Sequence, residues 1–365
     1  MFLSRVLISG YYGFGNTGDE AILQAMVTEI KRNNSETSIC VLSNNPVDTS
    51  KTYDVEGIDR TDIFKILKAI SKCDYVISGG GSLFQDVTSF GVPWYYGFIF
   101  IVAFLFRKPV KVYAQGIGPV NSKINRLFLK FLMNNSSFIS VRDERSHQEL
   151  IKMGVRKEIE CTVDPAFLIN PADKESLKAI LEKENGAPLS DKPKLAFAIR
   201  RWKGIDISNE IALAADRAYD EMGIEIVFVS LYLKEDLQLA EDIVSKMKNP
   251  AIIIRGNYSP SVITGIFGMM DLNVCVRFHA LVFSALNGVS MAAISYDPKI
   301  DSFMEFMGIN RTLEYGNVNS NRLFEIIKQK FENCKTDKLY LSKKAEESIE
   351  AARKGMQNLL KSLEK

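Results

Sequence analysis

A chain of 365 residues exceeds the roughly 250 to 300 at which single cores tend to divide, so two domains are expected. With 46% hydrophobic and 25% charged residues, the composition is that of a soluble globular protein and excludes fibrous and largely disordered classes. Lys plus Arg number 46 against 44 Asp plus Glu, so the formal charge of +2 offers no global attraction to nucleic acid, and any anion site has to be local.

Apolar, β-branched runs alternate with segments of helical period from the N-terminus onward, the pattern of βαβ units and a parallel sheet. Strands are predicted near 4–9, 38–43, 74–78, 110–114, 137–141 and 158–163, and helices near 18–32, 61–72, 94–106, 121–134 and 144–152. In the first helix Ile22, Leu23, Met26, Val27 and Ile30 form one apolar stripe, and Thr17 with Glu20 reads as a capping box. The polar, turn-rich stretch 184–193 reads as the hinge. Beyond it, strands are predicted near 195–200, 224–230, 251–254, 272–276 and 290–295, followed by an amphipathic helix over 340–365. The expected organisation is an N-terminal Rossmann-like domain over 1–170, a linker region over 171–193, a C-terminal Rossmann-like domain over 194–339 and the terminal helix. The fold class is α/β, two facing Rossmann-like domains with parallel sheets, and the active site is expected in the cleft between them.

Five cysteines, widely spaced and without a CxxC pair, indicate neither a disulfide framework nor a cysteine zinc site and suit a reducing cytoplasm. The N-terminus lacks the features of a signal peptide, so a cytoplasmic protein is expected. The apolar run Phe90 to Phe106 contains Pro93 and Gly97 and is shorter than the ~20 residues of a spanning helix. It reads as a buried or cleft-lining helix, with monotopic membrane contact as the alternative.

Ligands of open parallel sheets sit beyond the carboxyl ends of strands. The first such loop, Gly10 to Glu20, contains GxGxxG from Gly13 to Gly18 between a strand and a helix. A dinucleotide site also expects an acid after the second strand, where this chain has Leu42-Ser43-Asn44-Asn45-Pro46, which counts against a nicotinamide reading. What remains is open backbone at a helix N-terminus, with Gly13, Asn16 and Asp19 as candidates for a polar or anionic ligand. A second loop, Ser78 to Asp86, adds Gly80, Gly81, Ser82 and Asp86, and a third runs Gln115-Gly-Ile-Gly-Pro119. Tight strand–helix packing is the alternative for the first loop, and solvent-facing turns are the alternative for the combined rim.

Arg142 ends a strand and either pairs locally with Asp143 and Glu144 or binds a carboxylate or phosphate; Arg200 and Arg201 pose the same question. The strongest constellation is Arg277-Phe278-His279 at the end of an apolar strand. His279 is one of only two histidines and is suited to proton transfer near neutral pH, with Arg277 beside it as an anion binder. A structural, hydrogen-bonded histidine is the alternative. His147 reads as a surface residue. Lys299, in Tyr296-Asp-Pro-Lys299, places a further cation after the next strand. No HExxH, histidine–cysteine cluster or acidic run appears, so no metal is expected.

The ordered blocks GYYGFGNTGDEAIL, SGGGSLFQD, YAQGIGP, SVRDERS, VDPAFLI, VRFHALVFSALNGV and SYDPK resemble the polysaccharide pyruvyl transferase family over about residues 5–305. Their order and spacing are most similar to the bacterial, CsaB-type enzymes that pyruvylate secondary cell wall polysaccharide. The resemblance implies a glycosyltransferase-B-like fold and formation of a 4,6-linked pyruvate ketal on a sugar from phosphoenolpyruvate, with release of phosphate. It implies no cofactor beyond phosphoenolpyruvate as co-substrate. The implied acceptor is an N-acetylmannosamine residue on a lipid-diphosphate-linked oligosaccharide, which would bring the enzyme to the inner face of the membrane. On this reading Arg142, Arg277 and Lys299 bind the donor, His279 is the general acid-base, and the first two glycine loops face the acceptor. A nucleotide-sugar glycosyltransferase of the same fold and a non-catalytic sugar-phosphate binding protein are the competing expectations.

Overall fold

The computed structural model describes residues 4–87, 89–309 and 312–363. The chain divides into two compact units, Met1–Leu168 together with Glu350–Lys365, and Ile169–Ile349.

The first unit begins β1 (Arg5–Ser9), α1 (Thr17–Asn33), β2 (Ser38–Ser43), α2 (Pro46–Tyr53), β3 (Glu56–Asp59) and α3 (Ile63–Lys72). It continues β4 (Tyr75–Gly79), α4 (Val92–Leu105), β5 (Val110–Gln115), α5 (Lys123–Asn135), β6 (Phe138–Val141), α6 (Glu144–Met153) and β7 (Glu160–Cys161). The seven strands are all parallel in the order β3-β2-β1-β4-β5-β6-β7. Both faces of such a sheet are covered, which is why its strands read as continuous apolar runs. In β1, Leu7 joins a core with α3, α4, α5 and α6, while Val6 and Ile8 join one with α1 on the other face.

The second unit runs α7 (Lys174–Asn185), β8 (Lys194–Ala198), α8 (Ser208–Met222), β9 (Glu225–Val229), α9 (Leu233–Val244), β10 (Ala251–Ile254) and α10 (Pro260–Gly268). There follow β11 (Leu272–Cys275), α11 (Phe278–Leu286), β12 (Ser290–Ser295), α12 (Pro298–Phe306), β13 (Thr312–Glu314), α13 (Ser320–Glu332) and α14 (Cys334–Leu363). The strand order β10-β9-β8-β11-β12-β13, again all parallel, repeats the plan of the first unit. Each sheet therefore reverses its winding at one place, between β1 and β4 and between β8 and β11, and ligands of such sheets bind at that reversal. The last turns of α14 carry Met356, Leu359 and Leu360 into the core with α1 and β1.

Several local expectations change. The cap of α1 is Asn16, whose Oδ1 accepts from the Gly18 amide at 3.2 Å, rather than Thr17; Glu20 reaches back to the Gly13 amide at 2.8 Å instead. The strand predicted over 158–163 shrinks to two residues, because the chain turns into a short 3₁₀ helix at Pro165–Leu168. α2 and β3 were not predicted; Asn45 caps α2 and Pro46 opens it, a start signal too brief to show as helical periodicity. The terminal helix starts at Cys334, several residues before the predicted 340.

Candidate active site

In the second unit three adjacent strand ends carry the candidate residues. β11 lies between β8 and β12, so Arg277 and His279 follow the central strand, Arg200 and Trp202 follow one neighbour, and Tyr296 and Lys299 follow the other. The Arg277 guanidinium is buried and lies on Asp236 in the first turn of α9. Nε donates to Asp236 Oδ2 at 3.0 Å, Nη2 donates to Oδ1, and Glu235 Oε2 is 3.5 Å from Nη2. Asp236 also accepts the Leu231 and Tyr232 amides at 3.2 and 3.0 Å, which orients its carboxylate. Burial works against the charge on Arg277, but the Asp236 carboxylate outweighs it and holds the Arg277 pKa above its ordinary value. The same burial raises Asp236, against the opposing pull of Arg277 and the two amides. Arg277 thus enters the site as half of an ion pair, with Nη1 outside its contacts with Asp236 and Glu235.

His279 is half-buried in the first turn of α11, its ring 5.3 Å edge-to-face from Phe278 and 6.3 Å from Phe283. Phe278, which the sequence left without a role, packs edge-to-face on Phe303 of α12 at 5.4 Å and so braces the turn. Lys299 sits in the first turn of α12, where the positive helix end disfavours a cation. Its partners are slight: Asp297 at 3.8 Å and the Tyr296 ring at 5.8 Å. Arg200 is stacked over Trp202 and Tyr296 at 5.2 and 4.8 Å and donates to the Tyr296 hydroxyl at 2.9 Å, with no carboxylate pairing it among the described residues. In sequence, an arginine after a strand is indistinguishable from a surface ion pair until its neighbours are known.

In the first unit the second and third glycine loops and Arg142 meet in one buried polar cluster at the ends of β4, β5 and β6. Arg142 donates through Nη1 to Asp164 at 2.7 Å and through Nη2 to Ser82 Oγ at 2.8 Å, and its Nε lies 3.8 Å from Asp143. Gln115 donates to the carbonyls of Gly80 and Gly81 at 3.0 and 2.8 Å. A Cβ on Gly116 would stand 3.0 Å from two guanidinium nitrogens of Arg142, so that glycine makes room for the arginine. Arg142 is thus engaged within its own unit, through Nη1 by Asp164, which the sequence left unassigned, and through Nη2 by Ser82. The Asp86 carboxylate accepts the Asn121 and Ser122 amides at 2.8 Å each and Asn125 Nδ2 at 3.1 Å, fastening the start of α5.

The glycine loops are also less open than expected. A Cβ on Gly13 would stand 2.1 Å from Ser43 Oγ, one on Gly80 2.3 Å from Ile22, and one on Gly81 2.9 Å from Asp19. These three glycines admit protein neighbours, whereas Gly15, with φ of 79°, has open space where a Cβ would be. Beside the first loop, Arg60 lies over Phe14 and Tyr95 at 4.8 and 4.3 Å, another cation that the sequence did not single out. Glu20 bridges the Gly13 amide and the Tyr53 hydroxyl, and burial lifts its pKa to about 7 although both hydrogen bonds favour the charged form. Among the described residues no cluster of metal-binding side chains occurs, and no helix is long and apolar enough to cross a membrane.

A profile of the polysaccharide pyruvyl transferase family matches residues 16–298, well over half of the chain. The chain belongs to the polysaccharide pyruvyl transferase family. The matched span includes Arg142, Arg277 and His279 and ends one residue before Lys299. Among solved structures, Anabaena HepE in complex with UDP-glucose is similar, with 14% identity and a TM-score of 0.67 over 99% of both chains. UDP-GlcNAc 2-epimerase from Neisseria meningitidis, bound to UDP-GlcNAc, aligns over 98% of this chain and 99% of its own, at 14% identity and a TM-score of 0.64. A glycosyltransferase from Rickettsia africae gives 14% identity and a TM-score of 0.62 over 99% and 97% of the two chains. At these identities the likeness establishes the fold, two Rossmann-like units of the glycosyltransferase-B type, and nothing of the substrate.

Proposed function

We propose that this family member transfers an enolpyruvyl-derived unit from phosphoenolpyruvate to a sugar, closing a 4,6-linked pyruvate ketal and releasing phosphate. The observation that carries the reading is the family match, which spans the Arg277-Phe278-His279 turn. Lys299 and the Nη1 edge of Arg277 hold the donor's phosphate and carboxylate in the second unit. His279 protonates the donor's methylene carbon, and the resulting oxocarbenium-like carbon is attacked by one sugar hydroxyl, whose proton returns to His279. The bond from that carbon to the phosphate oxygen then breaks, phosphate leaves, and the second hydroxyl attacks and loses its proton to close the ring. Acid-base help of this kind contributes typically about 10²- to 10⁴-fold. In the first unit the loop around Gly15, Asn16 and Asp19 is assigned to the acceptor. We take that acceptor to be N-acetylmannosamine on a lipid-diphosphate-linked cell wall precursor, met at the inner face of the cytoplasmic membrane.

The test is incubation of the protein with phosphoenolpyruvate and a panel of amino-sugar acceptors, read by mass spectrometry. A gain of one pyruvate less one water supports the reading, and His279→Ala should lose most turnover while still binding donor. No gain on any acceptor, or near-normal phosphate release by His279→Ala, overturns it. A second reading, a nucleotide-sugar glycosyltransferase, is favoured by the UDP-glucose bound to the similar HepE structure. It predicts thermal stabilisation by UDP-sugars and none by phosphoenolpyruvate, the reverse of the pattern expected here.

A further inference from the structure

The helix α4, Val92–Leu105, has no charged residue on any side, which ordinarily marks a helix enclosed by protein or lipid. Its enclosure is incomplete. Tyr96, Ile99, Phe100 and Ala103 enter the core against the sheet, while on the opposite stripe Phe98 and Ile101 are half-buried against that core and Trp94 and Leu105 are exposed. Leu105 is 77% exposed and Phe106 beyond it 45%. The neighbouring α5 continues the surface: Ile124, Leu127 and Phe131, on one helical face, are 59%, 66% and 50% exposed. The two helices are joined by the Trp94–Phe128 ring stack at 4.3 Å and by Phe104 against Phe131. On the other flank α3 presents Phe64 at 81% exposure. Solvated monomers rarely carry a continuous apolar face of this kind.

Charge gives the occupant. Residues 63–72, 92–108 and 123–135 contain eight Lys and Arg and no Asp or Glu, in a chain that as a whole has 46 basic and 44 acidic residues. Arg126 is paired with Glu149 and Lys65 with the cap residue Asp62, and Arg107 and Lys108 line a pocket with Asp74, Glu158 and Glu160, but Lys68, Lys72, Lys123 and Lys130 of α3 and α5 enter no ion pair among the described residues. Apolar side chains ringed by long cations match the interface of an anionic bilayer: the rings and branches enter the acyl boundary, and the ammonium groups remain among the headgroups. At about 1.5 Å per residue α4 is roughly 21 Å long, too short to cross and suited to lying in the plane.

We propose that the α3–α4–α5 face of the first unit docks on an anionic lipid surface. This gives a place to the membrane contact named above, yet it needs none of the pyruvyl transfer chemistry, since the test uses no donor or acceptor. The full chain is sedimented with vesicles of phosphatidylcholine alone and of phosphatidylcholine with phosphatidylglycerol, at low and high salt. Binding to the anionic vesicles, weakened by salt, is expected, and the Leu105→Glu/Leu127→Glu double variant should bind at least about tenfold less. Val47→Glu, a change at an exposed apolar residue of α2, should bind as the parent does. Absence of binding to anionic vesicles, or equal binding by the double variant, overturns the proposal. So does analytical ultracentrifugation showing a dimer that the double variant dissolves, which would make this face an interface between copies.

Discussion

Arg142 and Asp164 are joined at 2.7 Å with both side chains almost wholly withdrawn from water, 3% and 2% exposed. The pair ties the end of β6 to the turn after β7, and Ser82 adds the second glycine loop to it. Breaking one partner of a buried pair leaves an uncompensated charge, at a cost of about 3–5 kcal/mol. Arg142→Met and Asp164→Asn should each lose stability of that order in urea unfolding. The Arg142→Met/Asp164→Leu double variant should lose less than the sum. Additive losses would mean that the two groups do not act as a pair.

Lys299 and Arg277 should separate in their effects. The weak contact of Lys299 with Asp297 at 3.8 Å predicts that Lys299→Met changes stability within about 0.5 kcal/mol. On the proposed donor role it should raise the KM for phosphoenolpyruvate about 10- to 100-fold. Arg277→Lys keeps a charge but loses the fork that lies on Asp236, and should destabilise by about 1–3 kcal/mol. Paired measurements of urea midpoint and KM on both variants check this; equal stability losses would contradict it.

Glu20 couples stability to pH. Folded, it keeps its proton up to about 7, because burial outweighs its hydrogen bonds from Gly13 and Tyr53; its ordinary value is 4.5. The raised value means that folding favours the protonated form, so the contribution is full below about pH 4.5 and is lost as pH rises through about 7. Its size is on the order of 3 kcal/mol. Glu20→Gln should flatten the fall in thermal midpoint between pH 4.5 and pH 7. A parallel pH profile in the two proteins would refute this.

Gly13 and Gly15 have nearly the same φ, 77° and 79°, but different surroundings. Gly13→Ala adds a clash at 2.1 Å with Ser43 to the left-handed strain and should cost about 2–4 kcal/mol. Gly15→Ala meets nothing within 4 Å and should cost only the backbone's ~1–2 kcal/mol. Thermal unfolding of both variants distinguishes them, and equal losses would show that the Ser43 contact does not constrain the loop.

The ordered motif blocks carried the family resemblance, while periodicity and apolar runs along the chain determined the α/β class, most of the strands and the two Rossmann-like units, because a parallel sheet buried on both faces writes itself as local hydrophobic pattern. The Arg277-Phe278-His279 turn was legible for the same reason: a strand end is a local feature, and one of only two histidines stood on it. What each charged group faces was decided by tertiary structure. Asp164 lies 22 residues from Arg142 and Asp236 lies 41 from Arg277, and no local spacing announces such pairs. The glycines show the same division: sequence marks where a side chain is missing, and only the packed neighbours show that Gly13 and Gly80 make room for Ser43 and Ile22 while Gly15 opens onto free space. The apolar run through α4 was visible from the start, but its exposed stripe required the adjoining α3 and α5, because exposure belongs to the packed helices and not to the run itself.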